Sequence, residues 1–202
     1  QYVIKEWFAD YFLHNSDITF DFTDGNNMIV HTNQAEPWKV TIVDTGLNTM
    51  TGGRIKRVKD YIGDEPFFLT YGDGVSNVNI KKLLEFHKES GKKATLTAVK
   101  LEGRFGVLDI DKDNGINSFR EKSRDDMGWI NGGFMVLEPS VIDYIADDTT
   151  VFEREPLEKL ANTGELMSYK HSGFWQCMDT QREMKKLEEL WQSGHAPWKI
   201  WE

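Results

Sequence analysis

Asp73 stands between Gly72 and Gly74 at the end of an apolar run, in the stretch FFLTYGDGV over residues 67–75. A strand that ends in one carboxylate with glycines on both sides can deliver a ligand to a hard cation. Mg2+ takes one or two carboxylates together with substrate phosphates rather than a full protein cage. The same string also reads as a β-turn aspartate. Asp179, at the end of GFWQCMDT, is the second candidate. It is either a carboxylate placed before a helix N-terminus, where the dipole favours it, or a second metal ligand.

Groups suited to anions and sugars accompany these carboxylates. In TGGR, over 51–54, a glycine-rich turn at a helix start would aim backbone N–H groups at an anion, and Arg54 would add a guanidinium fork. Lys122 in FREKS is placed to meet a sugar phosphate, with a solvated surface lysine as the plain alternative. In NGG, Asn131 offers both a donor and an acceptor for hydroxyls. Gly132 and Gly133 either clear space for a ring or mark a β-bulge. The five histidines show no metal spacing, and His87 falls on an apolar helix face, which assigns it to the core or its boundary. Cys177, the single cysteine, reads as an inert thiol and excludes an internal disulfide.

The elements that must position these residues alternate between strand and helix patterns. An apolar stripe of Ile4, Trp7, Phe8 and Tyr11 predicts a first helix that opens without a cap, which reads either as a processing or expression boundary or as the mark of a missing preceding segment. DITFDF and MIVHT alternate at period two around TDGNN and predict a hairpin. WKVTIVDTG reads as a strand, the segment 51–63 as one helix stopped by Gly63, and 67–71 as the next strand, together a βαβ crossover. NIKKLLEFHKESG predicts a helix ending at Gly91, and ATLTAV a strand. A second hairpin spans GVLDI and INSFREK. INGGFMVLE reads as a strand with an internal bulge, followed by helices near 140–146 and 154–163 and a short strand near 167–171. Thr180-Gln-Arg-Glu183 is a capping box opening a last helix that buries Met184, Leu187 and Trp191. The pattern predicts one α/β domain over residues 1–202, with a largely parallel sheet and hairpin insertions. Trp191, Trp198 and Trp201 suggest a C-terminal segment packed on the domain or on a second copy.

With 39% hydrophobic residues the chain can fill a core, and its formal charge of −9 argues against nucleic acid as a partner. No apolar run is long enough for a membrane span, and one cysteine suits a reducing compartment, so a soluble cytoplasmic protein is expected.

Taken in order, EPWKVTIVDTG, MTGGRIKRV, TYGDGV, GRFGVLDI, INGGFMVLEPSVID, GFWQCMDT and APWKIWE resemble the sugar-1-phosphate nucleotidylyltransferases over nearly the whole chain. The resemblance implies a Rossmann-like, GT-A-like sheet flanked by helices. It implies an enzyme that makes CDP-glucose and pyrophosphate from CTP and α-D-glucose 1-phosphate, supplying nucleotide sugar for surface polysaccharide such as O-antigen, and the aromatic C-terminus hints that it is a homo-oligomer. Position by position it makes Asp73 and Asp179 the Mg2+ ligands, and Thr49, Arg54 and Gly72 nucleotide contacts. Glu121, Lys122, Asn131 and Gly132 fall on the sugar-phosphate side, with Lys122 and Arg54 as the cationic groups at the reaction. Rival readings are a UTP- or dTTP-dependent relative, and a non-catalytic nucleotide-sugar-binding module. Two departures from the family pattern stand out. The loop G-G-x-G-T-R and the Lys-Pro segment that follows it are not in the chain, and EKP reads EKS at Glu121–Ser123. The chain on its own is therefore expected to have little activity, an open sheet edge and uncovered apolar surface.

Overall fold

The computed structural model describes residues 2–23, 25–100, 106–110, 116–121 and 128–201. The chain divides into two compact units, Gln1–Leu47 and Asn48–Glu202.

In the first unit the expected helix forms as α1 (Tyr2–His14), followed by the antiparallel hairpin β1 (Ser16–Asp21) and β2 (Asn27–Asn33). The apolar stripe of α1 is not buried as its periodicity suggests. Ile4 and Trp7 stay exposed, as do Phe20, Ile29 and Val30 of the hairpin. Tyr11 stacks on Trp38 at 5.6 Å, and its hydroxyl donates to Glu36. The strand predicted over WKVTIVDTG is not formed. Its β-branched residues favour extended backbone, but a strand also needs a ladder, and none pairs with this segment among the described residues.

The second unit is built on a mixed sheet in the order β10-β5-β9-β3, with β8 also on β5. Its strands are β3 (Phe67–Leu69), β5 (Ala94–Val99), β8 (Ile130–Asn131), β9 (Met135–Leu137) and β10 (Leu166–His171). β10 is parallel to β5, while β9 is antiparallel to both β5 and β3. β3, β5 and β10 run one way, but among the described residues β10–β5 is the one parallel ladder of this sheet and the β3–β9, β5–β9 and β5–β8 ladders are antiparallel. The largely parallel sheet expected from the sequence is therefore corrected to a mixed one. The sequence did not reveal that β9 is inserted between β3 and β5. β9 arrives antiparallel because the chain returns from β5 through the hairpin β6 (Gly106–Ile110) and β7 (Ile116–Glu121) rather than through a crossover helix. The crossover that does form is β3, α4 (Ile80–Ser90), β5.

Successive residues of β5 face opposite sides of the sheet. Ala94 joins a core of Met135 and Leu137 of β9, Phe152, and Ile55, Val141, Leu157 and Leu160, the last four supplied by α2 (Thr51–Arg57), the turn of 3-10 helix at Pro139–Tyr144 and α5 (Glu155–Asn162). Thr95 faces α4, where its hydroxyl meets Nδ1 of the fully buried His87 at 2.9 Å. His87 is therefore a core residue, as expected. α4 starts at Asn79, whose side chain accepts the Lys82 N–H, and stops at Gly91 in the left-handed region.

Two helix expectations need correction. The helix predicted over 51–63 breaks at Val58 into α2 and the short α3 (Lys59–Ile62). Lys56 is drawn to the carbonyls of Ile145 and Ala146, both at 2.8 Å, and Arg57 to Asp148, which ties the end of α2 to that segment. The last helix, α6 (Gln181–Gln192), has the expected capping box, but it buries Glu183 and Leu187 and leaves Met184 and Trp191 exposed. Trp198 stacks on Phe174 at 5.5 Å, which folds the C-terminal segment back onto its own unit.

Candidate functional site

Asp73 lies in the turn between β3 and the short strand β4 (Gly74–Ser76). β4 pairs antiparallel with β11 (Trp175–Cys177), with Gly74 opposite Cys177. One more bond continues the ladder, from the N–H of Met178 to the carbonyl of Asp73 at 2.7 Å. The register therefore brings Asp179 to the same ladder end as Asp73. Both aspartates are exposed. Neither Gly72 nor Gly74 has left-handed backbone, and a Cβ built on either would meet nothing within 4 Å. Packing and turn geometry do not require these glycines, and the space beside Asp73 is open.

Asp179 does not cap α6. That role belongs to Thr180, whose hydroxyl accepts the Glu183 N–H at 3.3 Å. The Glu183 carboxylate in turn accepts the N–H groups of Thr180 at 3.0 Å and of Asp179 at 3.1 Å. The Asp179 carboxylate accepts the Cys177 thiol at 3.4 Å. Cys177, Asp179 and Glu183 have their ligand atoms within 4.8 Å of one another, but they do not form a three-ligand cage. Burial, and then the hydrogen bond to Asp179, push the Cys177 thiol up, so it keeps its proton. Glu183 is engaged by the helix cap. What remains for a cation at this end is Asp179 together with Asp73, an all-oxygen pair that fits a hard divalent ion.

The INGG segment forms the bulge its glycines suggested. Asn131 pairs with Ala98 and Val136 with Thr95, so five steps along one strand oppose three on the other. Gly133 and Phe134 absorb the excess at φ 72 and 44. Gly132 is required sterically, because a Cβ there would lie 2.8 Å from Val99 Cγ1. Its N–H donates to the Thr97 carbonyl at 2.8 Å, and its own carbonyl accepts Trp175 Nε1 at 2.8 Å.

Asn131 Nδ2 donates to the Tyr71 hydroxyl at 3.2 Å, and Tyr71 donates to Glu153 at 2.8 Å. Burial, then the Glu153 hydrogen bond, hold the Tyr71 phenol above its usual value. Thr51, at the start of α2, donates to the other Glu153 oxygen at 2.6 Å. The structure thus joins Asn131 and Gly132 to Asp73 through Tyr71, and to Asp179 through Trp175 and β11. Tyr71, Glu153, Thr51 and Trp175 were missed in the sequence. The place of Tyr71 two residues before Asp73 was a signal for it, whereas nothing near Glu153 pointed to a site.

The TGGR reading changes. Gly52 and Gly53 lie inside α2 and are buried against residues 148–150. The Gly52 N–H donates to the Thr150 carbonyl at 2.9 Å, so it is not held out for an anion. Arg54 is exposed on the same helix, and Thr49 is buried just before it, its methyl group close to Gly53. Glu121 ends β7 opposite Gly106, and Lys122 lies outside the described residues.

A family model described as nucleotidyl transferase matches residues 20–181. The glucose-1-phosphate cytidylyltransferase of Salmonella typhimurium is 57% identical over 202 residues, covering 100% of this chain and 78% of that protein. A probable glucose-1-phosphate cytidylyltransferase of Bacillus subtilis is 44% identical over 199 residues, 98% of this chain and 77% of that protein. Among solved structures, HddC from Yersinia pseudotuberculosis aligns with a TM-score of 0.54 at 27% identity, over 72% of this chain and 64% of HddC, just under two thirds of its length. A putative glucose-1-phosphate thymidylyltransferase from Bacillus anthracis, at 15% identity and TM-score 0.52, shares the fold over 81% of this chain and 66% of its own. No helix among the described residues is long and apolar enough to cross a membrane.

Proposed function

The chain belongs to the nucleotidyl transferase family, and from that membership we infer that it forms CDP-glucose and pyrophosphate from CTP and α-D-glucose 1-phosphate. The geometric observation that carries the reading is the β4–β11 register, which brings Asp73 and Asp179 to one end beside open space. The choice of CTP and glucose rests on the names of the relatives that match 98–100% of this chain.

In this reading an oxygen of the sugar phosphate attacks the α-phosphorus of CTP in line. A new P–O bond forms as the bond to pyrophosphate breaks. The attacking oxygen is already anionic near neutral pH, so no general base is assigned. Asp73 and Asp179 would hold the divalent cation, Mg2+ by preference, which when bound neutralises phosphate charge. Gly72 leaves room for a phosphate next to Asp73. Arg54 and Lys122 supply positive charge, and Thr49 falls on the nucleotide side. Glu121, Asn131 and Gly132 belong to the sugar side, where the bulge presents an amide to the hydroxyls. A homo-oligomer working in the cytoplasm completes the proposal.

Titration calorimetry of CDP-glucose with and without Mg2+ tests it. Mg2+-dependent binding should be lost in both Asp73→Ala and Asp179→Ala, whose exposed positions leave the core intact. Binding indifferent to both changes, or to Mg2+, overturns the reading in favour of a nucleotide-sugar module without this chemistry.

A further inference from the structure

We propose that Glu153 is a positioning residue that fixes the Asn131 amide for the sugar, acting through the Tyr71 hydroxyl. The proposal rests on the sugar-side assignment of Asn131 made above.

The carboxylate of Glu153 only accepts hydrogen bonds. Thr51 Oγ1 lies 2.6 Å from its Oε2 and Tyr71 Oη lies 2.8 Å from its Oε1, so both hydroxyl protons point to Glu153. The Thr51 oxygen is held from its other side by the Phe152 N–H at 2.9 Å. Once its proton is committed to Glu153, the Tyr71 oxygen presents lone pairs alone, and it takes the Asn131 NH2 group at 3.2 Å. The other half of the amide, Oδ1, accepts the Gly133 N–H at 3.0 Å. A backbone N–H can only donate and this phenol oxygen can only accept. The Asn131 amide is therefore oriented twice over, and a flip would break both bonds.

One Nδ2 hydrogen and one Oδ1 lone pair then remain on an exposed side chain. An oriented donor next to an acceptor is suited to two neighbouring hydroxyls of a pyranose. The order of protons that achieves this starts at Glu153, 82 residues from Tyr71 in sequence and itself outside the sugar side. Glutamine at that position would replace one of the two acceptor oxygens with an NH2 group, so it could no longer accept from both the Tyr71 and the Thr51 hydroxyls. Turned toward Tyr71, that group would compete with Asn131 and leave the amide held by the Gly133 N–H alone.

The test compares CDP-glucose with CTP, which lacks the glucosyl group, by calorimetry in Mg2+. Tyr71→Phe and Glu153→Gln should each weaken CDP-glucose binding about three- to tenfold, the range for one lost or misdirected hydrogen bond, and leave CTP affinity unchanged. Adding Asn131→Ala to either should cause less further loss than Asn131→Ala causes in the wild type, because all three changes act on one amide. Glu153→Asp should recover part of the affinity. If Asn131→Ala alone weakens CDP-glucose binding while Tyr71→Phe and Glu153→Gln do not, the positioning role is overturned and the sugar-side reading stands. If Asn131→Ala has no effect, the sugar-side reading fails and takes this proposal with it. An equal loss of CTP and CDP-glucose affinity assigns Glu153 a structural role and overturns the proposal. Tyr71→Phe keeps the ring in place, so it decides the matter even where a Glu153 variant fails to fold.

Discussion

The indole N–H of Trp175 donates to the carbonyl of Gly132 at 2.8 Å and so ties the β8–β9 bulge to β11. β11 continues within two residues into Asp179. One side-chain bond thus couples the backbone of the bulge to the strand that leads into a candidate metal ligand. Trp175→Phe keeps most of the ring volume and removes the donor. Its expected cost is about 1 kcal/mol of unfolding free energy, near the net value of one hydrogen bond, measured by urea denaturation. A midpoint equal to wild type would show that the bond contributes nothing to the anchoring of the bulge.

Gly132 gives a steric prediction. A Cβ at this position would approach Val99 Cγ1 to 2.8 Å and the Thr97 carbonyl to 3.2 Å, within a buried segment. Gly132→Ala should destabilise by roughly 1–3 kcal/mol, the usual range for overpacking. Pairing it with Val99→Ala removes the nearest clash, so the double variant should be more stable than the sum of the two single changes predicts. Strict additivity in thermal or urea unfolding would place the strain elsewhere.

The NGG bulge, the Thr180 capping box and the core position of His87 were legible because each depends on residues close in sequence or on one helix face. Asp73 and Asp179 were joined in the sequence only by the family resemblance; their own surroundings gave two separate candidates, since nothing local says that β4 finds β11. Glu153 was invisible for the same reason, its partners lying 82 and 102 residues away. Other errors came from treating pattern as sufficient. The β-branched run near Val40 has strand propensity but no ladder, and Met184 and Trp191 lie on the helical stripe of Leu187 yet remain exposed. In TGGR the glycines serve close packing of α2 on residues 148–150, a use that sequence cannot distinguish from an anion-binding turn.

The Arg57–Asp148 pair makes a pH prediction. The Arg57 hydrogen bonds hold the Asp148 carboxyl below its ordinary value of 3.8. A carboxylate with a depressed folded-state pKa adds stability above its unfolded value and loses it as pH falls through the folded one. The stability gap between wild type and Arg57→Met should therefore be present at pH 7 and close below pH 3.8. Both side chains are well exposed, so the gap should be small and should shrink in high salt. A gap unchanged by acid and salt would assign the effect to packing of the arginine stem.

Glu183 joins the helix cap to the candidate metal ligand, and this makes its removal informative. Its carboxylate accepts the N–H of Thr180 at 3.0 Å and that of Asp179 at 3.1 Å, while the Thr180 hydroxyl accepts the Glu183 N–H at 3.3 Å and donates to the carboxylate at 3.1 Å. Thr180→Ala removes a single cap and should cost about 1 kcal/mol. Glu183→Ala leaves two backbone donors without their acceptor, so it should cost more, on the order of 2 kcal/mol. It should also free the backbone that sets Asp179, and with it weaken Mg2+-dependent CDP-glucose binding several-fold; Thr180→Ala should alter that binding less. Urea unfolding beside calorimetry separates the two effects. If Thr180→Ala proves the costlier change in both, the cap depends on the hydroxyl, and the carboxylate does not hold Asp179 in place.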